Sequence, residues 1–144
     1  MTTTEHLKRV LADELVFSIQ MQSFHWNVRG MLFRQLHEFF GDIYAGAYGA
    51  VDPLAEYIRT KGDLAPCCLA DIYASGSVKD LSYVPGTAQE MLQYALVMNQ
   101  EVIASVNLLS ASVDPTSEAG ILDYAATLND MHTKWDWMLK AHLE

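Results

Sequence analysis

Leu7, Leu11, Leu15 and Ile19 recur at four-residue spacing near the start of the chain, with Val10, Phe17, Met21 and Phe24 filling the same stripe. Such a stripe predicts an amphipathic α-helix that must bury one side against other helices. Thr2 and Glu5 have the spacing of a capping box, which places the first helical residue near position 3. Arg29-Gly30 supplies a stop, because glycine takes the left-handed C-terminal conformation without strain. A second helix is expected from about Leu32 to Lys61, ended by Gly62.

The segment from Asp63 to Gly86 cannot continue that pattern. It holds Pro66, Pro85, Gly76, Gly86 and several serines, and reads as a long crossover with one short helix around Cys67 to Ala74. Thr87 and Glu90 form a second capping-box pattern, opening a third helix that runs to about Ala111. Asp114-Pro115 opens a fourth, with proline at a tolerated first-turn position, ending near His142. Two helices, a long connection and two more helices make an all-α four-helix bundle with one crossover, spanning residues 1–144 as one domain.

Composition narrows the function classes. The net charge is -9, and the nine Lys and Arg residues are scattered. Phosphate binding needs clustered cations, so nucleic acid is a poor general partner. The acidity gives only a weak push toward metal cations. No run of about 18 apolar residues appears, so no membrane-spanning helix is expected. Met1 to Arg9 lacks the basic-then-apolar order of a signal peptide, which makes the cytoplasm the expected location. Cys67 and Cys68 are adjacent, a poor geometry for pairing with each other. No second Cys or His pair stands at zinc-ligand spacing, so they read as inert thiols.

Metal ligation has one promising pattern. None of the five histidines has Glu three residues before it, so a metal site of the Glu-x-x-His kind inside one bundle is not expected. Asp52 and Glu56, however, share a face of the second helix. His37, fifteen residues earlier, is rotated only about 60° from Asp52 but lies roughly 22 Å away along the helix axis. One chain therefore cannot bring His37 and Asp52 to one ion. Pairing the helix antiparallel with its own copy, centred near residues 45 to 46, resolves the conflict and generates two equivalent sites. Gly41, Ala45 and Gly49 lie along that face and would let the helices approach closely. His25 lies on a polar stripe of the first helix with Glu14, Ser18 and Gln22, expected off the core face and lining the same interface. Two imidazoles and two carboxylates suit ferrous iron, with zinc as a competitor. The bland alternatives are surface or satisfied core histidines and a solvated acidic face.

Three segments carry a resemblance. Phe24-His25-Trp26-Asn27-Val28-Arg29-Gly30, Phe33-Arg34-Gln35-Leu36-His37-Glu38 and Val51-Asp52-Pro53-Leu54-Ala55-Glu56 together resemble the signature of the Dps mini-ferritins, named for DNA protection during starvation. The resemblance spans nearly the whole chain, including the closing Trp137-Met138-Leu139-Lys140-Ala141. It implies a ferritin-like bundle assembled as a hollow dodecamer. Ferrous iron would be oxidised at twofold interfaces, by hydrogen peroxide or dioxygen, and stored as ferric mineral. His25 and His37 of one chain, with Asp52 and Glu56 of its neighbour, would be the ferroxidase ligands. Glu118 and Asp123 would line a threefold iron-entry pore; the alternative for both is charge favouring the fourth helix dipole.

Several features depart from or qualify that pattern. Many relatives carry an acidic residue four positions after the second histidine, where this chain has Gly41, with Asp42 rotated about 100° away. A second iron position is therefore in question. Pro53 removes a backbone donor beside Asp52 and should kink the helix or loosen a turn. No basic tail precedes the first helix or follows the last. Trp26 could relay an electron or simply pack an interface; Trp135 and Trp137 are expected to pack the fourth helix or subunit contacts. The functions in competition are a ferroxidase and iron store, a DNA-compacting protein, and a shell with a compromised metal site. Twelve chains at -9 each carry about -108, so DNA binding should be weak or absent.

Overall fold

The computed structural model describes residues 1–144, which form six helices and no strands. They are α1 (Thr3–Asn27), α2 (Phe33–Gly49), α3 (Val51–Thr60), α4 (Leu69–Ser75), α5 (Ala88–Ser112) and α6 (Ala119–Leu143). Four long rods result: α1, the α2–α3 pair, α5 and α6. α1 is the hub, packing on α2, α3, α4 and α5, while α6 packs on α5. The expected bundle with one crossover is the fold found, and no helix is long and apolar enough to cross a membrane.

The α1 capping box is complete. The Glu5 amide donates to Thr2 Oγ1 at 3.2 Å, and the Thr2 amide donates to Glu5 Oε2 at 2.7 Å. The box at α5 is only half made. The Glu90 amide donates to Thr87 Oγ1, but the Glu90 carboxylate accepts from the Gly86 amide instead of from Thr87. Gly30 and Gly62 are the two residues with positive φ, at 111° and 89°; Gly62 directly follows the C-cap of α3 as expected, whereas α1 has already ended in extended Val28, two residues before Gly30.

Three expectations need correction. The second rod is broken at Ala50, not continuous from Leu32 to Lys61. Pro53 has no N–H for the carbonyl four residues back, so the helix restarts and proline falls in the first turn of α3, where it is tolerated. The last helix begins at Ala119, not at Pro115. Asp114 instead holds a separate turn, accepting from the amides of Thr116 and Ser117. Finally, Leu15 is only half-buried and Ile19 is 48% exposed. A strict four-residue row drifts about 40° per step on a helix, so three steps carry Ile19 well off the core. Leu15 and Ile19 instead line a groove with Leu69, Ile72 and Tyr73 of α4.

The crossover is clamped by side chains of α1. Buried Asp13 accepts from the amides of Ser77 and Val78 at 2.7 and 2.9 Å, and from the hydroxyls of Ser77 and Ser105 at 2.9 and 2.5 Å. Gln20 Oε1 accepts from the Leu81 amide at 2.7 Å. Gly76 makes the approach possible, since a Cβ there would lie 2.5 Å from Asp13 Oδ1 and 3.0 Å from the Ala12 Cβ. A side chain of α6 uses the same device on α2: a Cβ at Gly46 would sit 2.7 Å from the Trp135 ring.

Candidate functional site

His25 and His37 come together although they sit on different helices. α1 and α2 form a hairpin whose short connection, with Gly30 at its turn, sets the two residues side by side. Their rings stack with centroids 3.8 Å apart and an interplanar angle of 14°. Phe33 stacks on the outer face of the pair, and Tyr44 meets His25 edge-on.

Each histidine holds the other's backbone. His25 Nδ1 lies 2.5 Å from the His37 carbonyl oxygen, and His37 Nδ1 lies 2.6 Å from that of His25. A carbonyl oxygen can only accept, so both Nδ1 atoms carry hydrogen and donate. In the neutral rings, both Nε2 atoms then keep their lone pairs. This is the second-sphere arrangement that fixes tautomer and ring orientation in metal-binding histidines. The His25 carbonyl is in the last turn of α1, where carbonyls lack partners along the helix.

Gly41 serves this pair directly. A Cβ there would lie 3.1 Å from His25 Nδ1 and 3.2 Å from Cε1, so the missing side chain gives the imidazole its space. Ala45 and Gly49 of the same rod are exposed.

Asp52 and Glu56 stand on the first two turns of α3, both exposed. Within one chain, no carboxylate of theirs joins the histidine pair at ligating separation; the one group of three potential ligands drawn together is Cys67, Cys68 and Asp71. Glu118 is already engaged. It accepts from Lys61 Nζ, from the Asp114 amide at 2.9 Å and from Thr3 Oγ1 at 3.4 Å. The Lys61 hydrogen bond, first among these, holds its carboxyl below the usual range. Asp123 is exposed on α6. Trp26 is 65% exposed, whereas Trp135 packs against Phe17 and His132 in the bundle.

The polar stripe of α1 is not off the core face. Glu14 is fully buried and Ser18 nearly so. Glu14 lies seven residues after Leu7, within about 20° of it around the helix, and therefore faces inward. Its Oε1 meets His132 Nε2 at 2.5 Å, His132 Nδ1 meets Asn99 Oδ1 at 2.7 Å, and Asn99 Nδ2 donates to the His132 carbonyl at 2.8 Å. Glu14 Oε2 has no partner. Burial pushes the Glu14 carboxyl up, with His132 partly opposing it. Nearby, burial pushes the Tyr124 phenol up to about 12, with Glu14 and Tyr57 adding to the effect. Sequence reading missed this network. The helical register of Glu14 would have shown its burial, but nothing local pairs it with a residue 118 positions away.

Comparison with known proteins agrees with this architecture. A family model described as the Ferritin-like domain matches residues 4–144. Curated relatives called DNA protection during starvation protein include one from Brevibacillus brevis, 28% identical over 138 residues, covering 96% of this chain and 92% of the relative. Another, from Helicobacter pylori, is 28% identical over 143 residues and covers 99% of both chains. The chain belongs to the Dps family of ferritin-like proteins. A crystal structure of a Dps protein from Bacillus brevis superposes with a TM-score of 0.92 at 27% identity, covering 99% of this chain and 95% of that one. That of Helicobacter cinaedi CAIP gives 0.92 at 29% identity, covering 99% and 100%. Membership of the Dps family places the chain among proteins of iron storage and oxidative protection.

Proposed function

We propose that this chain oxidises ferrous iron at sites shared by two chains and stores the ferric product inside a hollow dodecamer. The observation that supports it most is the His25–His37 pair. Two imidazoles are fixed by reciprocal carbonyl bonds, with both Nε2 lone pairs uncommitted. Asp52 and Glu56 of a twofold-related chain would complete the ligand set, because their own chain does not bring them there. Exposed apolar side chains on the α1–α2 hairpin support burial between copies there; Trp26 and Met31 are each well over half exposed.

In this reading each ferrous ion gives one electron to the oxidant. One hydrogen peroxide takes two, yielding two hydroxides beside two ferric ions. Imidazoles and carboxylates suit ferrous iron and leave open positions for water or oxidant. Zinc would compete for the same donors. One iron position is complete without residue 41, and the space beside Gly41 offers no further carboxylate. Of the two pore residues, Asp123 is the freer, since Lys61 already neutralises Glu118. DNA binding is weak or absent at a net charge of -9 per chain.

The test is peroxide-driven iron oxidation by assembled wild type and by a His25→Ala/His37→Ala variant of the same assembly state. The variant should lose most of the rate; equal rates would sink the assignment.

A further inference from the structure

The crossover carries a second set of potential ligands, chemically unlike the first. The side chains of Cys67, Cys68 and Asp71 place one ligand atom each within 4.8 Å of one another, all three exposed. Both cysteines are free. Neighbouring Cα atoms of a trans peptide are about 3.8 Å apart, below the usual range for disulfides, so the two sulfurs are poorly placed to consume each other. Cys68 occupies the N-cap position of α4 yet makes no capping bond there, and its thiol lies against that of Cys67.

The spacing suits a tetrahedral ion. Cys67 Sγ lies 3.7 Å from Asp71 Oδ2. An ion bound at about 2.3 Å to sulfur and about 2.0 Å to oxygen, with a tetrahedral angle between them, separates the two donors by about 3.5 Å. Small side-chain rotations therefore close the site. It opens on a cleft of about 520 Å³ lined by Leu64, Pro66 and Lys8 among others. Two thiolates and one carboxylate carry three negative charges. A divalent ion balances two of them, and Lys8 lines the same cleft.

We propose that Cys67, Cys68 and Asp71 bind one thiophilic d10 cation, of the zinc and cadmium class, with water completing the tetrahedron. Two sulfur donors select this class over hard cations and over the ferrous iron suited to the histidine–carboxylate set. Binding replaces the thiol protons, so up to two protons leave per divalent ion taken up. The site is distinct from the ferroxidase ligands and does not depend on that assignment. Adjacency alone left the cysteines looking inert; Asp71, on the first turn of α4, is the third donor that changes this.

Cadmium titration of the reduced, assembled protein tests the proposal, followed by the ultraviolet thiolate-to-cadmium charge-transfer band. The band should saturate at one ion per chain with proton release, and His25→Ala/His37→Ala should leave it unchanged. Cys67→Ser/Cys68→Ser should abolish the band, and Asp71→Asn should weaken binding at least about tenfold. A missing band at one equivalent, half an ion per chain, or wild-type affinity in Asp71→Asn would each overturn it.

Discussion

Replacing His132 by alanine probes the buried network from its centre. The imidazole is fully enclosed and contacts Glu14 at 2.5 Å and Asn99 at 2.7 Å. Its loss strips Glu14 of its one side-chain partner, since Oε2 already has none. Removing one member of a buried pair costs about 3–5 kcal/mol, because the survivor stays desolvated and unpaired. At about 2–4 °C per kcal/mol for a chain near this size, the midpoint of thermal unfolding should fall by about 6–20 °C. Glu14→Leu/His132→Phe removes both members and leaves only Asn99 Oδ1 without a partner, a cost of about 1–3 kcal/mol. The double variant should therefore melt above the single one. Melting must be compared at fixed concentration in the assembled state, since association adds to apparent stability. The network lies wholly inside one bundle, so assembly contacts are common to all variants. A His132→Ala midpoint within 2 °C of wild type, or a double variant less stable than the single, would refute the reasoning. Glu14→Gln adds a pH check. Burial raises the folded-state pKa of Glu14 above its ordinary value of 4.5. The stability from its bound proton is fully present below that value and is lost as pH climbs through the folded pKa. Glutamine has no such proton, so stability relative to wild type should move in the variant's favour as pH rises above about 4.5.

Gly41→Ala should slow peroxide-driven iron oxidation severalfold with assembly intact, because its Cβ would press on the His25 ring; single-turnover iron oxidation reads this directly. Gly76→Ala puts a methyl 2.5 Å from Asp13 Oδ1 and should cost about 1–3 kcal/mol, appearing as faster hydrogen exchange at the Ser77 and Val78 amides. Lys61→Met removes the main cause holding the Glu118 carboxyl low. Glu118 contributes stability above its unfolded pKa that is lost as pH falls through the folded pKa, so acid sensitivity in that window should shrink; carboxyl titration by NMR locates the shift.

Much of the fold was legible from local chemistry. Thr2 and Glu5 announced the start of α1, and Gly62 the end of the second rod, because caps and positive φ are short-range properties; Gly30 marked the connection, α1 having already ended in extended Val28. Proline at position 53 announced the break, though placing it at Ala50 required the structure. The reciprocal bonds of His25 and His37 were not legible, since they depend on how a hairpin turns. Gly41 was read as a lost donor; the structure shows that it is also the space an imidazole occupies. The deepest miss was the α1 stripe. Glu14 looked like surface because it is charged, yet its register opposes that, and its partner lies on the last helix. Polarity is a weak guide to burial when long-range pairing can satisfy the group.

The carbonyl bonds between His25 and His37 make that pair a property of the single chain, formed whenever the hairpin forms. The carboxylates of the proposed site are contributed by someone else. Two defective chains, one lacking the histidines and one lacking Asp52 and Glu56, therefore carry complementary halves. Mixed in one shell, they would rebuild at each unlike pair one whole site and one wholly empty one, restoring activity that neither chain has alone.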